Sequence, residues 1–74
     1  MEEKFLHAFK EVLEVQDDIT MELEFRNHDA WDSLSYMSLI AMLDSEFQVQ
    51  IENTAFEKMK TVGDIYYYVQ SQVK

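Results

Sequence analysis

Residues 32–47 of the 74-residue chain read DSLSYMSLIAMLDSEF, and this segment carries the clearest helical pattern in the sequence. An irregular acidic segment precedes it, and apolar residues are frequent from Leu34 onward. At 100° per residue, one set of its apolar side chains falls within about 100° of arc on a helix. That set is Tyr36, Leu39, Ile40, Leu43 and Phe47. The stretch therefore predicts a helix from Ser33 to Phe47 with one side facing a core.

Ser33 opens this predicted helix, and a serine at a helix start has two possible uses. Its hydroxyl can cap one of the first backbone N–H groups, which have no partner inside the helix. The same N–H groups and the positive end of the helix dipole favour a bound anion. A phosphate esterified to Ser33 would therefore be well placed. On these grounds alone capping is the commoner role, and attachment stays open.

A second apolar set on the same helix lies away from the core-facing side. Leu34, Met37 and Ala41 fall within about 60° of one another. A small domain cannot readily bury both faces, so we expect part of this set to be exposed beside Ser33, bordered by Asp44 and Glu46. Exposed apolar residues rimmed by charge indicate a protein contact. The alternative is that Leu34 and Met37 pack under the preceding loop.

The remaining elements follow from apolar spacing and from capping residues. A first helix is predicted from Glu3 to Val15, because its apolar residues follow the spacing of one helical face: Phe5, Leu6, Phe9, Val12 and Leu13. An ordered loop, Gln16–Trp31, should follow, with a turn near residues 20–23 and four apolar anchors. Those anchors are Ile19, Leu23, Phe25 and Trp31.

A short helix is predicted between Asn53 and Met59, and Thr61 should open the last helix. Thr61-Val62-Gly63-Asp64 places an acid three residues after a capping threonine, which is a variant of the capping box. The buried side of this helix is expected to be Val62, Ile65, Tyr66, Val69 and Val73. No strand pattern of comparable length occurs. The predicted fold is all-α, a small bundle of three main helices and one short helix, forming a single domain over residues 1–74.

The composition narrows the possible functions. Fifteen acidic residues oppose six basic ones, giving a net charge of −9, and no Lys or Arg occurs between Arg26 and Lys58. Nucleic acid is therefore not an expected partner, whereas an acidic surface favours basic protein partners or serves solubility alone. The chain has no cysteine for a disulfide or a thiolate. Without a long apolar run, we expect a cytoplasmic monomer with no membrane span.

Two groups of side chains have the composition of a catalytic site or a metal site, but neither has the required spacing. His28, Asp32 and Ser33 contain the side chains of a hydrolase triad, but residues so close in sequence rarely reach triad geometry, and no oxyanion-hole motif accompanies them. An acidic loop cluster lacks the alternating ligands and the glycine of a calcium loop: Asp17, Asp18, Glu22 and Glu24. We expect neither a catalytic residue nor a metal site.

Three spaced motifs resemble those of acyl carrier proteins over most of the chain, from about Phe5 to Val73. They are Asp32-Ser33-Leu34, the segment 43–47 (LDSEF) that ends the second helix, and the segment 61–65 (TVGDI) that opens the last. The tripeptide is weak by itself, and its spacing from the other two motifs makes the combination specific. The resemblance implies that Ser33 carries a covalent 4′-phosphopantetheine arm, transferred from coenzyme A by a magnesium-using phosphopantetheinyl transferase.

The resemblance also implies roles for neighbouring residues. Asp32 matches the acid before the serine and would help to dock the transferase and orient the site. Leu34, Met37 and Ala41 would form the partner-binding face, and Asp44 and Glu46 would meet basic patches on acyl-loading and acyl-processing enzymes. The reactive thiol would belong to the arm, and partner enzymes would carry out the chemistry. The chain would hold acyl groups as thioesters and would not itself be an enzyme.

Departures from the family pattern bear on the pathway. Ala30-Trp31 stands where many members have a glycine, and Ser38 and Ser45 stand where fatty-acid carriers commonly have glutamate. These departures favour a specialised pathway, for a polyketide, a nonribosomal peptide, a modified lipid or a cell-surface precursor. The competing hypothesis is an unmodified acidic helical adaptor that binds a partner through the exposed face of its second helix.

Overall fold

The computed structural model describes residues 2–72, and its regular structure is helical. In chain order the elements are α1 (Glu2–Leu13), a 3₁₀ helix (Phe25–Asn27), α2 (Ser33–Phe47), α3 (Asn53–Glu57) and α4 (Val62–Gln72). No strand occurs in that part of the chain. The predicted all-α class, with three main helices and a short one, is confirmed.

The ends of the helices show where apolar spacing misleads. Both ends of α2 are as predicted, but α1 begins and ends earlier than expected, and its predicted end at Val15 was wrong. Glu14 takes a left-handed backbone conformation with φ 55°. The Glu14 N–H donates to the Glu11 carbonyl at 3.1 Å and the Val15 N–H to Lys10 at 3.5 Å, the bond pattern that commonly closes a helix. The short helix predicted between Asn53 and Met59 is confirmed as α3, Asn53–Glu57.

Aromatic side chains dominate the core that the four helices share. The Phe5 ring packs near Phe9, Phe47 and Tyr66, with centroids 5.3–6.0 Å apart. Phe25, from the 3₁₀ helix, lies 6.0 Å from Phe9. Such ring pairs contribute about 0.5–1.5 kcal/mol each beyond the area that they bury. They fix the position of α1 against the end of α2 and the middle of α4.

The predicted core-facing side of α2 is confirmed. Leu39, Leu43 and Phe47 are buried, and Tyr36 and Ile40 are half-buried. The helix therefore packs through one side, as its spacing indicated. That packing determines which residues at its N-terminus face solvent.

The long loop between α1 and α2 is held to the core by its apolar residues. Ile19 and Phe25 are buried, and Leu23 and Trp31 pack against the core while partly exposed. The predicted turn is present, with the Leu23 N–H donating to the Thr20 carbonyl at 3.2 Å. The 3₁₀ helix that follows was not predicted, because three residues give too short a pattern.

The start of α4 is closed by hydrogen bonds from both sides. The Thr61 hydroxyl accepts the Asp64 N–H at 3.2 Å, and the Asp64 carboxylate accepts the Thr61 N–H at 3.0 Å, so the predicted capping box is present. The Val62 N–H donates to the Leu23 carbonyl at 2.9 Å, and the Gly63 N–H donates to Met21 at 2.8 Å. The loop before the 3₁₀ helix therefore completes this end.

Gly63 allows that close approach. It is buried, and a Cβ atom built on it would lie 3.0 Å from the Met21 carbonyl oxygen. The predicted buried side of α4 is confirmed for Val62, Ile65, Tyr66 and Val69, while Val73 lies outside the described residues. Across residues 2–72, every helix is too short or too polar to cross a membrane.

Candidate functional site

The N-terminus of α2 is capped by Asp32. Asp32 has an extended backbone, with φ −152° and ψ −172°, and its Oδ1 accepts the Ser35 N–H at 2.9 Å. Ser33 is the first residue of the helix and is exposed. The expectation that Ser33 itself caps the helix was wrong, because the aspartate one residue earlier takes that role. The Ser33 hydroxyl is left available for another use.

The Asp32 carboxylate is held in its charged form by the helix that it caps. The backbone N–H of Ser35 is the main reason that the pKa of Asp32 lies below its usual value, and the Ser35 hydroxyl and the Leu34 N–H act in the same direction. Burial acts in the opposite direction and raises the pKa of Asp32. Asp32 is therefore ionised at neutral pH, directly beside Ser33.

Ser35 ties the loop before α2 to its cap, a role that the sequence pattern hardly indicates. Ser35 is buried, and its single hydroxyl hydrogen is shared between the Ala30 carbonyl at 3.0 Å and Asp32 Oδ1 at 3.1 Å. The Ala30 N–H in turn donates to His28 Nδ1 at 3.0 Å. The only available signal was the place of Ser35 at the third helical position, where side chains commonly bond back to the cap.

These same bonds keep His28, Asp32 and Ser33 from acting as a triad. His28 Nδ1 accepts the Ala30 N–H, and the Asp32 carboxylate is occupied by Ser35. Hydrogen bonds that link the three triad side chains are absent from residues 2–72. The same part of the chain contains no group of three or more His, Asp or Glu side chains suited to a metal ion.

An open groove of about 700 Å³ runs beside Ser33, and we refer to it as the Ser33 groove. Its floor is aromatic: the Phe56 ring lies 5.0 Å from Tyr36 and 6.2 Å from Trp31, between centroids. Residues from the loop, α2 and α3 line it: Arg26, Trp31, Asp32, Ser33, Tyr36, Met37, Asn53, Phe56 and Glu57. Sequence reasoning missed Arg26, Asn53 and Phe56, because α3 reaches Ser33 only through the fold.

A second groove, of about 500 Å³, continues along α2 away from Ser33. Tyr36 and Met37 line both grooves, and the Tyr36 hydroxyl donates to Asn53 Oδ1 at the start of α3. Ala41 and Asp44 lie on the second groove. The two grooves therefore share a boundary formed by a hydrogen bond between α2 and α3.

The second apolar set of α2 is exposed. Leu34 is 73% exposed and Met37 65%, and Ala41 is also exposed. The alternative that Leu34 and Met37 pack under the loop is therefore wrong. Leu34, Met37 and Ala41 form one strip that begins next to Ser33, which we call the contact face.

Asp44 and Glu46 are both exposed, but only Asp44 borders the contact face, so the expectation that Glu46 also borders it was wrong. At 100° per residue, Asp44 lies about 50° from the centre of the face, whereas Glu46 lies about 150° away on the other flank of α2. Only Asp44 lines a groove with Met37 and Ala41. The acid next to the contact face is therefore Asp44.

The carboxylates around Ser33 are free of internal ion pairs in the part of the chain that the structure describes. The ion pairs found within residues 2–72 join Lys10 to Asp18 and, when His7 is protonated, His7 to Glu11, each at 3.5 Å. Six exposed carboxylates lie in the segment without lysine or arginine: Asp29, Asp32, Asp44, Glu46, Glu52 and Glu57. Their field is open to a basic partner.

Comparison with protein-family models gives a match over residues 3–69 to the phosphopantetheine-binding family, described as a phosphopantetheine attachment site. An acyl carrier protein of Exiguobacterium sibiricum is 38% identical over 58 residues, which cover 78% of this chain and 73% of the relative. Another, from an Exiguobacterium species, is 34% identical over 56 residues, or 76% and 71% of the two chains.

Two solved structures share the fold at 30% sequence identity. One is a protein proposed to be an acyl carrier protein from Mycobacterium tuberculosis, with a TM-score of 0.83 and 96% of each chain covered. The other is a solution structure of a holo acyl carrier protein from Geobacter metallireducens, with a TM-score of 0.79 and 93% and 80% of the two chains covered. The likeness therefore extends over the whole helical arrangement.

Proposed function

Because the chain belongs to the acyl carrier protein family, we propose that Ser33 is the residue to which its 4′-phosphopantetheine arm is attached. In this family the arm is bound covalently, and its terminal thiol holds acyl groups as thioesters. Separate enzymes perform the chemistry, so the chain is a carrier and not an enzyme. Its partners in general are a phosphopantetheinyl transferase and acyl-processing enzymes.

The exposed, uncommitted hydroxyl of Ser33 at the first position of α2 is the observation that carries the proposal. A phosphate on this oxygen would lie at the positive end of the helix, where backbone N–H groups face outward. The other serines of α2 are less suitable. Ser35 is buried and hydrogen-bonded, and Ser38 and Ser45 lie farther along the helix.

The contact face is proposed to bind partner enzymes next to the arm. Leu34 and Met37 are large apolar side chains exposed to water. Contact with a partner would remove most of their exposed apolar area from water, which favours binding. Ala41 extends the strip without adding bulk, so a partner helix or loop could approach α2 closely there. We expect these residues to govern how long a partner stays bound.

Charged residues around the face are proposed to guide partners onto it. Asp32, beside Ser33, would orient the transferase, and Asp44 and Glu46 would attract basic patches on it and on acyl-processing enzymes. Because these carboxylates are exposed, their effect should fall with added salt. The position of Asp44 on the groove beside Met37 supports a larger share for Asp44 than for Glu46.

The pathway is proposed to be a specialised one. Ser38 and Ser45 are exposed on α2, so this helix presents two hydroxyls where fatty-acid carriers commonly present carboxylates. A partner surface that recognises this helix would need fewer cations than one that recognises a fully acidic helix. We place the carrier in the cytoplasm and expect it to act as a monomer.

Co-expression with a broad-specificity phosphopantetheinyl transferase tests the attachment. The intact mass should increase by one 4′-phosphopantetheine group in the wild type, and Ser33→Ala should abolish the increase. Ser38→Ala is the matched control, because it removes an exposed hydroxyl from the same helix and should be modified like the wild type. An unchanged wild-type mass with a transferase shown to be active would refute the proposal.

A further inference from the structure

Arg26 is held rigidly at the edge of the Ser33 groove. Its Nε donates to the Met59 carbonyl at 3.1 Å, and its Nη2 donates to the Phe56 carbonyl at 2.7 Å. The guanidinium carbon also lies 4.7 Å from the Phe56 ring centroid and 5.3 Å from that of Phe25. Four contacts therefore fix a side chain that is usually flexible, so little conformational entropy remains to be lost on binding a ligand.

The charge of Arg26 has no carboxylate partner within residues 2–72. The other charged side chains on the Ser33 groove are Asp32 and Glu57, so Arg26 is the one cation among the lining residues. Its hydrogen bonds to protein use Nε and Nη2, and no protein acceptor of the described residues bonds to Nη1. The N–H donors of Nη1 are thus left for a ligand, on a side chain that lines the groove.

Holding the end of α3 explains only part of this arrangement. The carbonyls of Phe56 and Met59 lie at and just beyond the C-terminus of that helix, where a cation is favourable. That role uses two of the three guanidinium nitrogens. The third has no acceptor among the described residues, on a side chain that lines the same groove as Ser33.

From this geometry we infer that Arg26 binds an anionic oxygen of the group carried on Ser33, an inference that rests on the proposed function. Guanidinium hydrogen bonds to phosphate or carboxylate oxygens are short and strong. Two sources supply such an oxygen: the phosphodiester of the arm, or a carboxylate at the free end of a short acyl cargo. In either case Arg26 offsets the repulsion from Asp32 and Glu57 and draws the arm toward the groove.

A stability cycle tests the inference. Thermal unfolding is measured for apo and holo protein, and for holo protein loaded with succinyl or with butyryl groups, which have equal chain lengths but differ in the terminal carboxylate. Each form is made as wild type, Arg26→Gln and Lys58→Gln. Lys58 is the matched control, because it is an exposed cation at the end of α3 that does not line the groove.

Two results support the inference and identify the source of the oxygen. If the phosphodiester is bound, adding the arm raises the wild-type Tm by about 4 °C more than it raises that of Arg26→Gln. If the cargo carboxylate is bound, this difference arises for succinyl and not for butyryl. Lys58→Gln should behave like the wild type in both cases, because its charge lies outside the groove.

Equal Tm increments in the wild type and Arg26→Gln, for all three modified forms, would overturn the inference. Should Arg26→Gln unfold, the NMR resonance of the Arg26 Nε–H is measured in the wild type instead. This resonance should move between the apo and holo forms, or between the butyryl and succinyl forms. No movement in either comparison would overturn the inference. Intact mass separates this failure from that of the proposed function, since a chain without an added arm would refute both.

Discussion

The N-termini of α2 and α4 both have an aspartate as a hydrogen-bond acceptor, but the rest of the chain covers them differently. Each has an aspartate whose carboxylate accepts backbone N–H groups, Asp32 at α2 and Asp64 at α4. At α4 the next N–H groups, of Val62 and Gly63, are also taken by loop carbonyls. At α2 the capping bond reaches Ser35, and Ser33 remains exposed.

We propose that this difference separates a helix start that serves folding from one that serves attachment of the arm. The α4 start is buried under residues 21–23, so its dipole and donors serve folding. The α2 start keeps its positive end accessible and places a hydroxyl there, with a groove on one side and the contact face on the other. A short acidic motif at a helix start therefore has a role set by what covers it.

The largest expected effect comes from adding a larger side chain at the buried start of α4. Gly63→Val should lower the free energy of unfolding by about 2 kcal/mol, because its side chain would collide with the Met21 carbonyl oxygen. Urea denaturation measures the change. Ala41→Val, on the exposed contact face, is the matched control and should cost only about 0.6 kcal/mol through helix propensity. A smaller loss for Gly63→Val than for the control would break the comparison.

Charge reversal at the acidic residues of α2 should slow transfer of the arm without unfolding the domain. Asp44→Lys is expected to reduce the rate of arm transfer about tenfold at low salt, and Glu46→Lys about threefold, since Asp44 lies nearer the contact face. Mass spectrometry of samples quenched at successive times measures both rates. The difference between the two variants should shrink at about 0.5 M salt, because the screening length is then only about 4 Å.

Glu3→Lys is the control for that comparison. It makes the same charge change near Phe5, whose ring packs on Phe47 at the opposite end of α2. Equal rates for Glu3→Lys and Asp44→Lys would show that net charge, and not its position beside the contact face, controls loading.

Removing the threonine cap of α4 should affect stability alone. Thr61→Ala should cost about 1 kcal/mol of unfolding free energy, because the Asp64 N–H loses the hydroxyl that it bonds to. The modification rate of Ser33 per folded molecule should stay unchanged. Asp32→Ala, by contrast, should slow modification at matched folded fraction. Equal modification rates for the two variants would remove the functional distinction between the helix starts.

The smallest expected effect is a loss of stability at acidic pH, to which Asp32 at the start of α2 and Asp64 at the start of α4 both contribute. The pKa of Asp64 is lowered chiefly by the N–H groups of Lys60 and Thr61, as that of Asp32 is by Ser35. Because folding favours both charged forms, their stabilisation is present above the ordinary value of 3.8 and is lost as pH falls through the lower folded values. Carboxyl ¹³C titration should give midpoints below 3.8 for both, and midpoints at or above it would contradict the capping geometry.

Much of the fold could be predicted because burial imposes a period on each helix. The sides of α2 and α4 that pack on the core were predicted from spacing, and so was the exposed strip that contains Leu34 and Met37. The helix ends were harder. The end of α1 depends on Glu14 taking a left-handed conformation, and no glycine marked that position.

The site was predictable only where its residues are neighbours in sequence. Asp32 and Ser33 were predicted as candidate site residues, although the residue that caps α2 is Asp32 and not Ser33. The place of Arg26 on the Ser33 groove was missed because its acceptors, Phe56 and Met59, lie 30 and 33 residues away. Contacts of that kind depend on how the loop and α3 pack together, which apolar spacing does not describe.

Locating the arm on the chain is the decisive test of whether Ser33, at the exposed start of α2, is the attachment point. The holo protein would be cleaved and the peptide that contains residues 31–38 fragmented in the mass spectrometer, because it carries Ser33, Ser35 and Ser38 together. The mass of the arm should be found on Ser33. An arm located on Ser35, on Ser38 or elsewhere in the chain would contradict the account.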